Sequence, residues 1–284
     1  MPRHAIFVIN PSRAEAVTAA KEISQILLKD GFTLSTPSDV SVLGISEVSS
    51  ESLAAAEVVV VLGGDGTILR GAEIARIKSI PILGINLGHV GFLAEVEKPT
   101  HAEIAASIIA RGYVIENRMV LKYSVLRDGV PVSDGWALNE VTVERDGTTM
   151  VELFVQIDNR PLSRWGCDGL ICATPTGSTA YAFSAGGPVL WPEIDALVLL
   201  PIAAHALFAR PMVVSPNSEI VVEIESSEAV LSGDSLRKFA LKAGDQVHIS
   251  KDASVVKLAH IKPTLFTDRL VAKFKLPVEG WRGE

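Results

Sequence analysis

The sequence predicts a two-part α/β protein: a doubly wound parallel sheet first, then a second, β-rich domain. Three observations lead there. Through the first third of the chain, short apolar runs alternate with segments whose apolar residues recur at helical spacing, the pattern of a parallel sheet clad in helices. After about Arg118 the runs become short, β-branched and separated by turn dipeptides, the texture of successive short strands. A length of 284 residues, 48% of them hydrophobic, is enough for one large domain or two ordinary ones with substantial cores.

Taken in order, AIFVIN (Ala5 to Asn10) is a short apolar strand that runs into Asn10-Pro11, a turn signal. From Glu15 to Lys29, Val17, Ala20, Ile23, Ile26 and Leu27 recur at helical spacing, and Gly31 supplies a stop. The run EVVVVL (Glu57 to Leu62) is β-branched without polar alternation, as a central parallel strand buried on both faces should be. Thr67 to Ile77 has helical texture, Ile80 to Ile85 is the next strand, and His101 to Ala110 is a helix closed by Arg111-Gly112. Beyond Arg118, Asp128-Gly129, Asp134-Gly135 and Asp158-Asn159 are expected turns between strands. Residues from Thr176 to about Leu190 are glycine-rich and less regular, and Phe266 to Leu276 has the composition of a helix. The expected division is 1–117 for the α/β domain and 118–263 for the β-rich domain, with 264–284 a candidate to return to the first.

Charge narrows the function. Twenty-six basic against 33 acidic residues give a net charge of −7, which argues against a broad surface for nucleic acid or anionic membrane. A small anionic ligand stays open, because backbone N–H groups hold phosphate without basic side chains. The two cysteines, Cys167 and Cys172, have no nearby Cys or His pair to complete a zinc site, and are expected as small buried residues in a reducing compartment. The opening MPRHAIFVIN has neither the apolar length nor the cleavage pattern of a signal peptide, and no apolar run approaches a membrane span. The expectation is a cytoplasmic protein with neither nucleic-acid nor membrane partners.

Three motifs carry chemistry. In EVVVVLGGDGT, Gly63, Gly64 and Gly66 surround Asp65 between a buried strand and a helix start, the context in which glycine amides meet phosphate and Thr67 is available as a helix cap. The loop lacks the lysine and spacing of a Walker A motif and is not GxGxxG. The second motif, DGLICATPTGSTAYAFSAGGP (Asp168 to Pro188), gathers Thr174, Thr176, Ser178, Thr179, Tyr181 and Ser184 among glycines. That density of hydroxyls and amides suits a sugar, an amide or an adenine edge, with Tyr181 offering a stacking face. A self-satisfying polar loop is the competing account. The third is Asn139-Glu140, an amide and a carboxylate at a strand start, groups that hydrogen-bond ribose hydroxyls.

In this order and spacing, GGDGT, Asn139-Glu140 and DGLICATPTGSTAY followed by SAGGP resemble the NAD kinases. PIAAHALFARP (Pro201 to Pro211) resembles a Pro-Ile…His…Arg-Pro segment of that family, and the tail FTDRLVAKFKLPVEGWRG resembles its actinobacterial branch. The resemblance spans essentially the whole chain. It implies a phosphofructokinase-like α/β domain and a β-sandwich-type second domain. The activity it implies is phosphorylation of the adenosine-ribose 2′-hydroxyl of NAD by ATP, or in some members polyphosphate, to give NADP. It further implies Mg2+ or another divalent cation held mainly by the donor phosphates, and a homodimer or homotetramer. Residue by residue, Asp65 matches the catalytic carboxylate acting as general base, within a nucleotide loop of Gly63, Gly64, Gly66 and Thr67. Arg70 matches a basic position one helical turn on. Asn139 and Glu140 match the pair that holds NAD. Asp168, Thr179, Ala180, Tyr181, Ala182, Phe183 and Ser184 match further NAD-contacting positions, led into by Thr176, Gly177 and Ser178.

The chain departs from the family at two places. Some members carry Arg where this chain has Gly166, and Leu236 in Ser232-Gly233-Asp234-Ser235-Leu236 stands where a polar contact is expected, so that turn is assigned no site role. His205 is expected as a packing or subunit-contact residue rather than a catalyst. The alternatives are a lipid or sugar kinase sharing the Gly-Gly-Asp-Gly loop, and a non-catalytic NAD-binding sensor.

Overall fold

The computed structural model describes residues 3–40, 43–88, 91–94, 99–226 and 228–278. In chain order the elements begin β1 (His4–Ile9), α1 (Ala14–Lys29), β2 (Thr33–Thr36), β3 (Ser46–Glu47), α2 (Ser50–Ala55), β4 (Ala56–Leu62), α3 (Asp65–Ala75), β5 (Ile82–Ile85) and α4 (His101–Ala110). They continue β6 (Val114–Arg127), β7 (Val130–Ala137), β8 (Glu140–Arg145), β9 (Val151–Ile157), β10 (Arg160–Cys167), β11 (Gly169–Ala173), α5 (Tyr181–Ser184) and β12 (Leu197–Ile202). The last are β13 (Met212–Val214), β14 (Ile220–Ile224), β15 (Ala229–Gly233), β16 (Arg237–Leu241), β17 (Gln246–His260) and α6 (Phe266–Phe274). They form two compact units, Met1–Asn117 with Val256–Glu284, and Arg118–Val255. The tail residues Glu279 to Gly283 quoted above lie outside the described residues.

In the first unit the strands run in the order β5-β4-β1-β2-β3, all parallel, and the last residues of β17 add Leu258 and Ala259 beside β5. Val58 to Leu62 are fully buried, which is why that stretch needs no polar alternation. α1 buries Ala16, Ala19, Ala20, Ile23 and Leu27 and joins Ile104 and Ile108 of α4 in one core with Phe7, Ile9 and Leu62. From β1 the chain first adds strands on one side, β2 and β3, and then on the other, β4 and β5. That reversal opens a crevice beyond the carboxyl ends of β1 and β4, the usual ligand position in such sheets.

The second unit is antiparallel. One sheet runs β13-β12-β11-β8-β15-β16; the other contains β10-β9-β14 with the first part of β17, and β6 paired to β7. Side chains from both sheets share one core, including Leu121, Val143, Leu153, Trp165, Leu170, Leu199 and Ile220. On β11 the alternation splits: Leu170 and Cys172 enter that core, while Ile171 and Ala173 pack on the opposite face with Ala182, Leu190, Val198 and Leu200. Burial pushes the Cys167 thiol up to about 11 and the Cys172 thiol up to about 12, so both are inert packing groups.

Several sequence expectations shift. α3 starts at Asp65, so half of the glycine loop is the first helical turn, and β5 starts at Ile82 rather than Ile80. Asp128-Gly129 and Asp158-Asn159 are left-handed hairpin turns with φ of 51°, 75°, 52° and 59°. Asp134-Gly135 is not a turn: it lies inside β7, and Gly135 makes room for the Tyr123 ring, since a Cβ there would stand 2.9 Å from Tyr123 Cε1. His205 is exposed, not packed, and its backbone N–H donates to the Gly166 carbonyl at 2.9 Å. Among the described residues no helix is long and apolar enough to cross a membrane.

Candidate active site

The first part of the site grows from the switch point of the parallel sheet. β4 ends at Leu62, Gly63 donates its N–H to Ile85 O, and Gly64 is the N-cap of α3. A glycine cap has no side chain to satisfy the helix's first N–H groups; the Thr67 N–H turns back to the Gly64 carbonyl at 2.8 Å, and the N–H groups before it suit an anionic ligand. Thr67 does not cap the helix as expected; it sits at the third helical position and folds over Gly63, where a Cβ would stand 2.8 Å from Thr67 Cβ. Beyond the end of β1, the Asn10 side chain accepts from Ser12 N and Oγ, a turn that leads into α1. The result is an open cleft of about 360 Å3 lined by Asn10, Arg13, Gly64, Gly66, Thr67 and Arg70. Arg70 reaches this cleft with its guanidinium ion-paired to Asp39. Asn10 and Arg13 were not singled out from sequence; their position after a strand end at a reversal of strand order was the available signal.

Asp65 is held, not free. Its carboxylate accepts the backbone N–H of Phe92 at 3.0 Å and of Leu93 at 3.2 Å, from the segment after β5. Gly91 lies against it: a Cβ there would stand 2.9 Å from Asp65 Cγ and closer still to Oδ1. Two donors on one carboxylate fix its plane.

The second part lies on β8 and β11. Asn139 and Glu140 are buried, 9% and 5% exposed. The residue that organises them is Asp234, which the sequence reading left out. Its carboxylate accepts Leu138 N at 2.7 Å, Asn139 N at 2.7 Å and Glu140 N at 3.3 Å, while Arg237 Nη2 stands 3.1 Å away. Asp234 and Ser235 form a left-handed turn, φ 52° and 57°, that aims this carboxylate back along the strand start. Burial, then the Asp234 carboxylate beside it, push the Glu140 carboxyl up to about 8, against one backbone N–H bond from Tyr181. Glu140 Oε2 is buried without a hydrogen-bond partner. At neutral pH this carboxyl holds its proton until a partner favours the charged form.

The glycine-rich stretch divides its hydroxyls between fold and surface. Thr174 Oγ1 donates to Leu138 O at 2.6 Å and accepts from Gly177 N at 3.1 Å. Ser178 Oγ donates to Pro175 O at 2.7 Å and accepts from Leu190 N at 2.9 Å, and Thr179 Oγ1 donates to Thr176 O at 3.2 Å. These three side chains build the turn, as the self-satisfying account expected, and Ser178 is fully buried. Gly177 has a packing reason: a Cβ there would stand 2.8 Å from Asn139 Cα and closer to its carbonyl. Ala182 is fully buried in the small core behind β11. Tyr181, Phe183 and Ser184 are exposed, Thr179 and Ala180 half-buried, and Thr176 Oγ1 accepts from Arg118 Nη1 at 3.4 Å. Asp168 pairs with Arg145 at 2.8 Å and lines an open pocket of about 320 Å3 with Glu144, Arg145, Gly147, Tyr181 and Ile202. The Tyr181 hydroxyl donates to Glu144 Oε2 at 3.4 Å, and burial, then that carboxylate, push its pKa up and keep it protonated.

The structure thus gathers Gly63, Gly64, Asp65, Gly66, Thr67 and Arg70 in the first unit. In the second it gathers Asn139, Glu140 and Thr176 to Ser184 at one end of β8 and β11, while Asp168 stands at the other end of β11, in the pocket it shares with Tyr181.

Comparison with known proteins identifies the family. Residues 5–113 match the model of the ATP-NAD kinase N-terminal domain, and residues 138–261 that of the ATP-NAD kinase C-terminal domain. The chain is 43% identical to the NAD kinase of Thermobifida fusca, over 99% of this chain and 92% of that protein. It is 44% identical to NAD kinase 2 of Streptomyces avermitilis, over 99% and 97%. Among solved structures, an NAD kinase from Archaeoglobus fulgidus in complex with ATP is similar at a TM-score of 0.73 and 28% identity, over 96% of this chain and 98% of that one. Yeast NADH kinase complexed with NADH shares the fold at a TM-score of 0.86 and 21% identity, over 99% and 89%. With the two domain models together matching most of its residues, this chain belongs to the NAD kinase family.

Proposed function

We propose that this protein transfers the terminal phosphoryl group of ATP to the 2′-hydroxyl of the adenosine ribose of NAD, giving NADP, with Asp65 as the general base. The observation that carries the reading is the Asp65 carboxylate, fixed by two backbone N–H groups in the loop that also lines a cleft bearing Arg13, Arg70 and glycine amides. As the ribose oxygen attacks the γ-phosphorus, its proton passes to an Asp65 oxygen. The bond from that phosphorus to the bridging oxygen breaks, and ADP leaves with the electron pair. Positioning and charge neutralisation carry most of such a transfer, and a placed base contributes about 10² to 10⁴ in rate.

The glycine amides and arginines of the cleft suit the donor phosphates, and the ATP bound to the Archaeoglobus fulgidus relative supports ATP as donor. A divalent cation would be held mainly by the donor phosphates, shielding their charge from Asp65. Asn139 and Glu140 suit ribose hydroxyls, and the exposed Tyr181 and Phe183 offer faces to a base.

The test is incubation with NAD, ATP and Mg2+, with NADP read by an NADP-specific dehydrogenase and a parallel arm with polyphosphate. Asp65→Asn should lower kcat by at least about 10²-fold with an unchanged circular dichroism spectrum. Wild-type NADP formation by Asp65→Asn removes the base assignment. NAD binding without NADP from either donor favours the sensor.

A further inference from the structure

α6 buries one residue, and it is charged: Arg269 is 3% exposed. A guanidinium keeps its charge in a protein, so its burial requires acceptors. Arg269 Nη1 donates to the Phe92 carbonyl at 3.3 Å and the Ala94 carbonyl at 2.5 Å, and Nη2 lies 3.3 Å from His260 Nδ1. The Phe92 ring rests against Phe266 and Phe274 of the same helix, with centroids 5.9 Å and 5.8 Å apart. The segment that offers its carbonyls to Arg269 offers its N–H groups, at Phe92 and Leu93, to Asp65. One short stretch of peptide is therefore bonded to the base on one side and to a buried cation on the other.

We propose that Arg269 is a positioning residue for phosphoryl transfer: through residues 92–94 it holds the Asp65 carboxylate in line with the attacking hydroxyl. The inference rests on the reading of Asp65 as the general base. Releasing the carbonyls lets the segment relax, and a misplacement of about 1 Å at the reacting groups costs about 10²-fold in rate. Substrate binding does not run through this contact, so the loss belongs in kcat and not in KM.

The experiment measures kcat, KM for NAD and for ATP, and thermal midpoint for Arg269→Lys and Arg269→Met, each in the wild-type and the Asp65→Asn background. Arg269→Lys keeps the charge without the fork and serves as the folded variant if the methionine protein fails to fold. The expected result is a kcat lower by about 10- to 100-fold with both KM values within about twofold, milder for Lys than for Met. In the Asp65→Asn background the same changes should cost nothing further. Addition of methylguanidinium to Arg269→Ala should restore part of kcat. An unchanged kcat in Arg269→Lys, or an equal loss in both backgrounds, overturns the inference and leaves Arg269 as a fold-holding residue. Wild-type turnover by Asp65→Asn alone overturns the base assignment, and the inference with it.

Discussion

Replacing Glu140 with glutamine keeps the shape of the side chain and removes its ionisation, which separates what the residue does for the fold from what it does for a ligand. In the folded protein the carboxyl is pushed from 4.5 up to about 8 by burial and by Asp234. Between those values the native state holds a proton that the unfolded chain has released, so stability falls as pH rises and levels off above about 8. The penalty is on the order of 3 kcal/mol at pH 7 and about 5 kcal/mol above pH 8. Glu140→Gln should match wild type near pH 4.5 and exceed it by a few kcal/mol at pH 9. NAD affinity should move the other way, falling by about tenfold or more, because a carboxylate accepting ribose hydroxyls is the stronger partner. Urea unfolding at pH 5, 7 and 9, with NAD titration at each, reads both effects. Parallel stability–pH curves for the two proteins would refute the argument that Glu140 is neutral in the folded state.

Gly91→Ala places a Cβ against the Asp65 carboxyl, which must retreat by about 0.5 to 1 Å from its two N–H donors; kcat should fall toward the 10²-fold range while both KM values hold. Gly177→Ala is different in kind, because the atoms in the way are the backbone of Asn139; overpacking of about 1–3 kcal/mol should lower the thermal midpoint and weaken NAD binding together. Asp245 accepts a two-pronged bond from Arg127, at 2.8 Å and 2.7 Å, and the guanidinium holds its carboxyl below the usual range. Its stabilisation is complete above pH 4 and is lost as pH falls through the depressed value, so Asp245→Asn should flatten the acid limb of the stability curve.

What was legible in the chain was local. The Val58 to Leu62 strand, the glycine turn after it and the helix after that are consecutive, and each constrains the next by φ/ψ and burial. The hairpin turns at Asp128-Gly129 and Asp158-Asn159 are set by two residues apiece. What was not legible depends on partners far along the chain. Asp134-Gly135 has the composition of a turn, and only the Tyr123 ring on the neighbouring strand explains its glycine. The Ser178 hydroxyl has the chemistry of a ligand group, and only Pro175 and Leu190 show that it is spent. Asp234 sat in a turn set aside because Leu236 looked wrong for a contact. Its work is done on the backbone of Leu138, Asn139 and Glu140, which no motif records.

β17 has a consequence for how the protein is made. The chain leaves the first unit after Asn117 and returns to it at Val256, so Leu258 and Ala259, the parallel partners of β5, are synthesised after the whole second unit. Until then β5 waits on the ribosome with an open edge, a state prone to mispairing. The second unit is one continuous piece of chain and faces no such wait. Arg269 comes later still, so the cation bonded to the segment that holds Asp65 emerges after the 63–67 loop and the Asn139-Glu140 strand start have been made. A nascent chain can acquire the Asp65 loop and still lack the brace, and stopping translation between Ala259 and Arg269 would yield a closed sheet with residues 92–94 unheld by the guanidinium.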